Sequence, residues 1–178
     1  IYLDILTVSI ASDIVPMTGE NRIFAFYGLK KIKENPCSAI KAILQSAQIR
    51  NSEITISDIV FKIGPRINAA GRINSGKKAV DLLISDNLKE SNELVKEIDS
   101  FNRQRKDLDK NITDEAIALI GSDVRYNTRK SLVVYKPDWH KGVIGIVASR
   151  LSEEFYKPSI VLTFSNGLAS GSARSVPG

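Results

Sequence analysis

The sequence predicts an α/β protein in three parts: a helical segment over residues 1–86, a long connecting helix over 87–121, and the beginning of a small α/β unit over 122–178. Three observations predict it. Through the first half, apolar residues recur at helical spacing and are punctuated by Pro and Gly. The stretch 88–120 contains neither Pro nor Gly and keeps one apolar seam throughout. The remainder alternates short β-branched runs with one helix-spaced run, in the order strand, helix, strand, strand.

Taken in order, Ile1, Leu3, Ile5, Leu6, Val8, Ile10 and Ala11 form an apolar run that suits a buried helix or a buried strand, and periodicity does not separate the two. Ser12-Asp13 ends it. Pro16 and Gly19 mark a loop, and Asn21 is placed to cap a helix over 22–33 with Ile23, Phe24, Tyr27 and Ile32 on one side. Asn35-Pro36 stops that helix, and Ser38 opens a short one through Ile40, Ile43 and Leu44. Thr55 and Ser57 offer hydroxyl caps to a helix ending near Ile63-Gly64-Pro65. Residues 65–76, rich in Gly, Asn and Arg, are expected as a loop, and 77–85 as one more short helix.

In 88–120, Leu94, Ile98, Phe101, Leu108, Ile112 and Leu119 follow an alternating four-three spacing, with Arg105 and Glu115 filling the same seam. A helix this long with a narrow, partly polar seam suits a coiled coil or a spacer between two bodies. Beyond Gly121-Ser122, residues 131–135 read as a buried strand, 142–155 as a helix, and 159–164 and 168–173 as strands joined by the hairpin signal Asn166-Gly167.

With 43% hydrophobic and 25% charged residues in 178, the composition is that of a globular chain. No apolar run approaches the roughly 18 residues of a membrane span, and no signal-peptide pattern opens the chain. One cysteine, Cys37, and one histidine, His140, exclude disulfide frameworks and Cys-based or multi-His metal centres within these residues. A reducing, cytoplasmic setting is the expectation. The chain starts at Ile1, its one Met is Met17, and it stops just after a strand-like run, so it is expected to be an excerpt. The net charge of +5 is uneven: residues 1–86 carry 11 basic and 8 acidic side chains, 87–121 carry 6 and 8, and 122–178 carry 8 and 4. Two basic bodies joined by a neutralised connector suit a phosphate backbone, although a generic basic surface has the same composition.

Four places carry possible chemistry. Gly64-Pro65-Arg66-Ile67-Asn68-Ala69-Ala70-Gly71-Arg72 offers two arginines for bidentate phosphate contacts and an Asn for sugar or base edges, or else a solvated turn. Asp138-Trp139-His140-Lys141-Gly142 precedes a helix start, where backbone N–H groups attract anions; alternatively Trp139 is a core plug and His140 a neutral hydrogen-bonded residue. Ser170-Gly171-Ser172-Ala173-Arg174-Ser175 places three hydroxyls around one Arg at a strand end, as an anion cradle or an ordinary terminus. Asp13, at the end of an apolar element, is either a metal ligand or a turn cap. One carboxylate cannot hold the metal pair of phosphoryl-transfer chemistry, so no complete hydrolytic centre is expected here.

Together these segments resemble the DHH phosphoesterase family, in its branch of single-strand-specific DNA exonucleases. Residues 11–22 (ASDIVPMTGENR) resemble the stretch closing the family's catalytic domain, and 63–72 resemble its GPRxNAAGR segment. Residues 138–151 resemble DWHxGVIGIVASRL, and 171–178 resemble GSARSxPG. The resemblance implies the helical end of a DHH catalytic domain over 1–86, a linker helix over 87–121, and the first part of a truncated DHH-associated domain over 122–178. It implies that Asp13 is the last metal-binding aspartate, and that Arg66, Asn68 and Arg72 contact DNA. His140, Ser172 and Arg174 would line the facing side of a cleft near a 5′-terminal phosphate. It further implies Mn²⁺ or Mg²⁺ as cofactor, single-stranded DNA as partner, and 5′-to-3′ hydrolysis in DNA repair and recombination. The upstream DxD and DHH motifs are absent, so the excerpt itself is expected to lack turnover, and its exposed apolar faces to favour self-association. The alternatives are a non-catalytic single-stranded nucleic-acid-binding module, or a related DHH phosphodiesterase acting on short oligonucleotides or cyclic dinucleotides.

Overall fold

The computed structural model describes residues 2–13 and 15–177. Ile1 of the first apolar run, Ile14 of the loop after Asp13 and Gly178 of the last motif lie outside the described residues. The chain divides into two compact units, Ile1–Arg103 and Gln104–Gly178.

The first unit is helical. The opening apolar run resolves as a helix, α1 (Leu3–Ser12), with Asp4 in its first turn, where a carboxylate suits the helix dipole. Asp4 is fully buried. It accepts from Lys31 Nζ at 2.9 Å on α2 (Gly19–Glu34) and from the Cys37 N–H at 2.8 Å, just ahead of α3 (Ser38–Ser46). One carboxylate thereby ties three helices together. Where α1 crosses α2, the Thr7 hydroxyl reaches the Phe24 carbonyl at 3.1 Å, and a Cβ on Gly28 would overlap that hydroxyl. α2 begins earlier than expected: Thr18 holds the cap position, and the Asn21 amide instead donates to the Pro16 carbonyl at 3.1 Å, closing the preceding loop. The core gathers Ile32, Ile40, Ile43, Leu44, Ile54, Ile59, Ile63, Leu82 and Ile98. Each such side chain contributes roughly 1.5–3 kcal/mol of burial.

Thr55 caps α4 (Ile56–Asp58) in a capping box with Asp58, as its hydroxyl suggested. The helix does not stop at Pro65. It widens through a π-turn, Ile59–Ile63, and continues as α5 (Gly64–Ile73). The expected loop over 65–76 is therefore mostly helix. The physical reason is the π-turn: the Gly64 N–H bonds back five residues to Ile59, which resets the ladder just where Pro65 has no N–H to give. Ala69 and Ala70 then propagate it on a buried face. α6 (Lys77–Ile84) follows.

α7 (Leu88–Gly121) is one uninterrupted helix of 34 residues. The Asn87 side chain caps it, accepting from the N–H of Lys89 at 2.8 Å. Its buried stripe is offset from the apolar seam: Ser91, Val95, Ile98 and Asn102 are buried in the first unit, and Asp109, Ile112, Ala116 and Ile120 in the second, whereas Leu119 is 42% exposed. The spacing was read correctly and its phase was not, because several buried positions are polar.

Beyond the end of α7, the second unit is built on a three-stranded sheet and the helix α8. β1 (Leu132–Tyr135) pairs parallel with β2 (Ser159–Ser165), and α8 (Ile144–Phe155) forms the crossover that a parallel pair requires. β3 (Leu168–Arg174) returns antiparallel to β2 through Asn166-Gly167, whose φ values of +53° and +79° make the two-residue hairpin that the dipeptide predicts. Ile144, Val147 and Leu151 bury α8 within the unit, alongside the buried Leu132, Val134 and Val161 of the sheet. No helix of the described residues is long and apolar enough to cross a membrane.

Candidate nucleic-acid interface

Each unit carries one cluster of the residues singled out above. In the first, Asp13 stands at the C-terminus of α1, where its backbone N–H still bonds to Ser9 at 3.1 Å. Its exposed carboxylate shares a cavity of about 290 Å³ with Asn68, near the middle of α5, and with Ser9 and Ser12. The cavity brings together two predicted residues 55 positions apart in sequence. The Ser12 hydroxyl is buried and has no hydrogen-bond partner among the described residues. Sequence reasoning passed over Ser12, since one hydroxyl beside an aspartate gives no pattern.

Arg66 is held differently. Its Nε donates to Asp99 Oδ1 on α7 at 2.9 Å, Nη1 donates to the Lys62 carbonyl, and the side chain is only 21% exposed. The Ser46 hydroxyl also bonds to Asp99. The guanidinium is thus fixed by protein partners before any ligand is considered, with Nη2 its freest edge. Arg72, in the last turn of α5, is exposed. It lies four residues, about one helical turn, from Asn68, so the two share a face of α5.

In the second unit, Arg174 closes β3. Its Nη1 donates to the Ser172 hydroxyl at 3.1 Å, and its Nε donates to the Ser149 hydroxyl on α8 at 3.2 Å. Gly145 lies opposite: a Cβ there would stand 3.2 Å from Ser172 Oγ and 3.7 Å from Arg174 Nη2. Gly145 and Ser149 are one turn apart on α8, so a small-residue face leaves room for the guanidinium along the helix. Ser149 and Gly145 were not foreseen as site residues; their one-turn spacing was the available signal. Arg174 is exposed, and beyond it an open groove is lined by Ser149, Ser152, Tyr156 and Ser175.

His140 lies in the turn between β1 and α8. Its Nδ1 accepts from the Gly142 N–H at 3.1 Å, and its carbonyl accepts from Val143 at 2.9 Å, which sets up the helix start. The neighbouring Trp139 is buried, and its indole N–H donates to Glu115 Oε2 of α7 at 2.8 Å. Lys136 Nζ reaches the same oxygen at 2.8 Å. These two bonds, Lys136 first, hold the Glu115 carboxyl below the usual carboxylate range, and Glu115 in turn raises the Lys136 ammonium.

The donor set can bind anions: guanidinium groups, hydroxyls and a helix start. It does not make up a metal centre, because among the described residues no three or more His, Cys, Asp or Glu side chains gather where an ion would be held. Asp13 is the one acidic side chain among the described residues that line the cavity it shares with Asn68.

No family model matches the chain. It is 37% identical over 180 residues to the single-stranded-DNA-specific exonuclease RecJ of Salmonella typhimurium, covering 99% of this chain and 31% of that protein. It is also 37% identical over 178 residues to the protein of the same description from Bacillus subtilis, covering 22% of it. Among solved structures, RecJ from Thermus thermophilus in complex with Mn²⁺ matches 98% of the chain with a TM-score of 0.85 at 29% identity, over 25% of its own length. The chain thus spans about a third or less of these relatives.

Proposed function

We propose that this chain is a segment of a RecJ-type single-stranded-DNA-specific exonuclease that hydrolyses phosphodiester bonds from the 5′ end, a reading supported by its 37% identity to such proteins over 99% of its own length. In this reading residues 1–86 are the closing part of the catalytic domain, 87–121 the linker helix, and 122–178 the first part of the associated nucleic-acid-binding domain. Asp13 contributes one ligand to an Mn²⁺ or Mg²⁺ centre whose other ligands come from residues beyond these 178. Asn68, on the same cavity, contacts the strand, with Arg66 and Arg72 supplying positive charge along α5. Ser172 and Arg174 hold a phosphate, and His140 orders the turn ahead of α8.

The observation that carries this reading is the Arg174 cradle. An exposed guanidinium is propped by two hydroxyls against a glycine face, so that it is oriented yet open to a ligand. With Nε held by Ser149 and Nη1 by Ser172 and the Ala173 carbonyl, Nη2 carries the N–H donors left for a phosphate, and such a contact is blind to base identity.

The test is nucleotide release from single-stranded DNA with Mn²⁺, measured for the 178-residue chain and for a longer protein spanning the full extent of its relatives. The longer protein should release nucleotides and lose that activity on Asp13→Ala, whereas the 178 residues alone should show none. Robust release by the short chain, abolished by Asp13→Ala, would overturn the assignment of the missing ligands.

A further inference from the structure

A second cationic groove lies within the second unit, and of its lining residues only Arg150 falls in a motif named above. α7 and α8 enclose about 380 Å³ there, and Arg105, Lys106, Lys110 and Arg150 supply four cations against Asp109 and Asp114. Asp109 is buried and shared by two guanidinium groups. Arg150 grips it with Nε at 2.9 Å from Oδ1 and Nη2 at 3.0 Å from Oδ2, and Arg105 Nη1 lies 3.5 Å from Oδ2. One carboxylate therefore meets two arginines. Lys106, Lys110 and Thr113 follow at intervals of four and three along α7, which puts them on one face. The Thr113 hydroxyl lines the groove, is itself buried, and has no hydrogen-bond partner among the described residues. A buried hydroxyl without a partner is costly, and an acceptor in the groove would remove that cost.

We propose that this groove holds a backbone phosphate of nucleic acid, bound by Lys106, Lys110 and the free edge of Arg150, with the Thr113 hydroxyl donating to a phosphate oxygen. The assignment rests on the reading that the chain binds single-stranded DNA, and it adds a contact that the Arg174 cradle does not supply. The surplus positive charge calls for an anion, and the orphan hydroxyl calls for an acceptor; a phosphodiester oxygen is both. It also accounts for cationic side chains gathering on one face of α7, although residues 87–121 carry more acidic than basic groups overall.

The experiment uses the 178-residue chain, fluorescein-labelled dT20 and anisotropy across a salt series, with the Lys106→Gln/Lys110→Gln and Thr113→Val variants. Both substitutions in the first variant are at exposed helical positions, and the second removes only the hydroxyl. The double variant should bind dT20 several-fold more weakly, with a log–log salt slope shallower by about 1.4, the value for two contacts to a single strand. Thr113→Val should weaken binding without lowering the melting temperature, a separation that a purely structural threonine would not show. Affinity and slope unchanged in both variants, while Arg174→Ala still weakens binding, would overturn the groove and leave the function standing. If the wild-type chain does not bind dT20, the functional reading itself fails, and sodium pyrophosphate followed by amide and Arg Nε–H NMR decides the groove. Shifts at Thr113 and Arg150 would then identify free phosphate as the ligand and overturn the nucleic-acid assignment; no shifts would overturn the groove altogether.

Discussion

Asp4 and Asp58 are two acidic residues whose surroundings commit them to the charged form. Burial pushes the Asp4 carboxyl up, but the Lys31 ammonium and the N–H groups of Cys37 and Ile5 outweigh it, and the net shift is downward. At Asp58, the Lys62 ammonium at 2.7 Å and the hydroxyl and N–H of Thr55 hold the carboxyl at about 2, against an ordinary value of 3.8. Both groups take up a proton less readily folded than unfolded, so each contributes stability that is fully present above the unfolded value and is lost as pH falls through the folded one. Denaturant unfolding between pH 6 and pH 2 should therefore show stability level down to about pH 4 and declining below it. Asp58→Asn should flatten the decline toward pH 2. Asp4→Ala should cost about 3 kcal/mol at neutral pH, the low end for breaking a buried pair, because Lys31 is partly exposed and can recover water. A profile unchanged by Asp58→Asn would show that the capping box does not hold that proton equilibrium.

α7 separates pattern from burial at the scale of one element. Its continuity was legible because nothing between 88 and 120 interrupts a helix, and the structure has it unbroken. Its buried stripe was displaced, with Ile98 and Ile112 common to both readings. The sharpest test is a neighbouring pair: Ile120 is 4% exposed and Leu119 42%. Ile120→Ala should cost about 2–5 kcal/mol, and Leu119→Ala under about 1 kcal/mol, both from denaturant midpoints; the reverse order would restore the seam read from the sequence. The misreading has a physical source. Ser91 and Asp109 are buried because they have partners, Ser91 donating to the Ser85 hydroxyl and Asp109 pairing with Arg150 and Arg105, and an apolar count cannot see such positions. α5 was illegible for a related reason. Gly, Pro and Asn signal a loop locally, yet the π-turn ahead of Pro65 lets the helix pass. In the candidate site, Arg66 and Arg174 stood out as charged residues in small-residue settings, and Asp13 as a carboxylate closing an apolar run. Ser12, Gly145 and Ser149 did not, because small side chains reveal a role only through what lies beside them.

For the molecule as a whole, the two units divide the work by chemistry. The first offers one exposed carboxylate beside a cavity and an arginine-bearing helix; the second offers hydroxyls, guanidinium groups and a helix start. The excess of basic residues lies at the two ends of the sequence. A segment of this kind should hold single-stranded DNA by its phosphates, with little regard for base sequence. The measurement that tests this most directly is the affinity of the 178-residue chain for single-stranded DNA at several salt concentrations, comparing wild type with Arg174→Ala, on oligonucleotides ending in a 5′-phosphate or a 5′-hydroxyl. A charge-assisted contact is worth about 1.5–3 kcal/mol, so the variant should bind roughly ten- to a hundredfold more weakly. The loss should be alike across base sequences, with a shallower salt dependence and a diminished preference for the phosphorylated end. Unchanged affinity and an unchanged salt slope would contradict the account and leave Arg174 as a strut between β3 and α8.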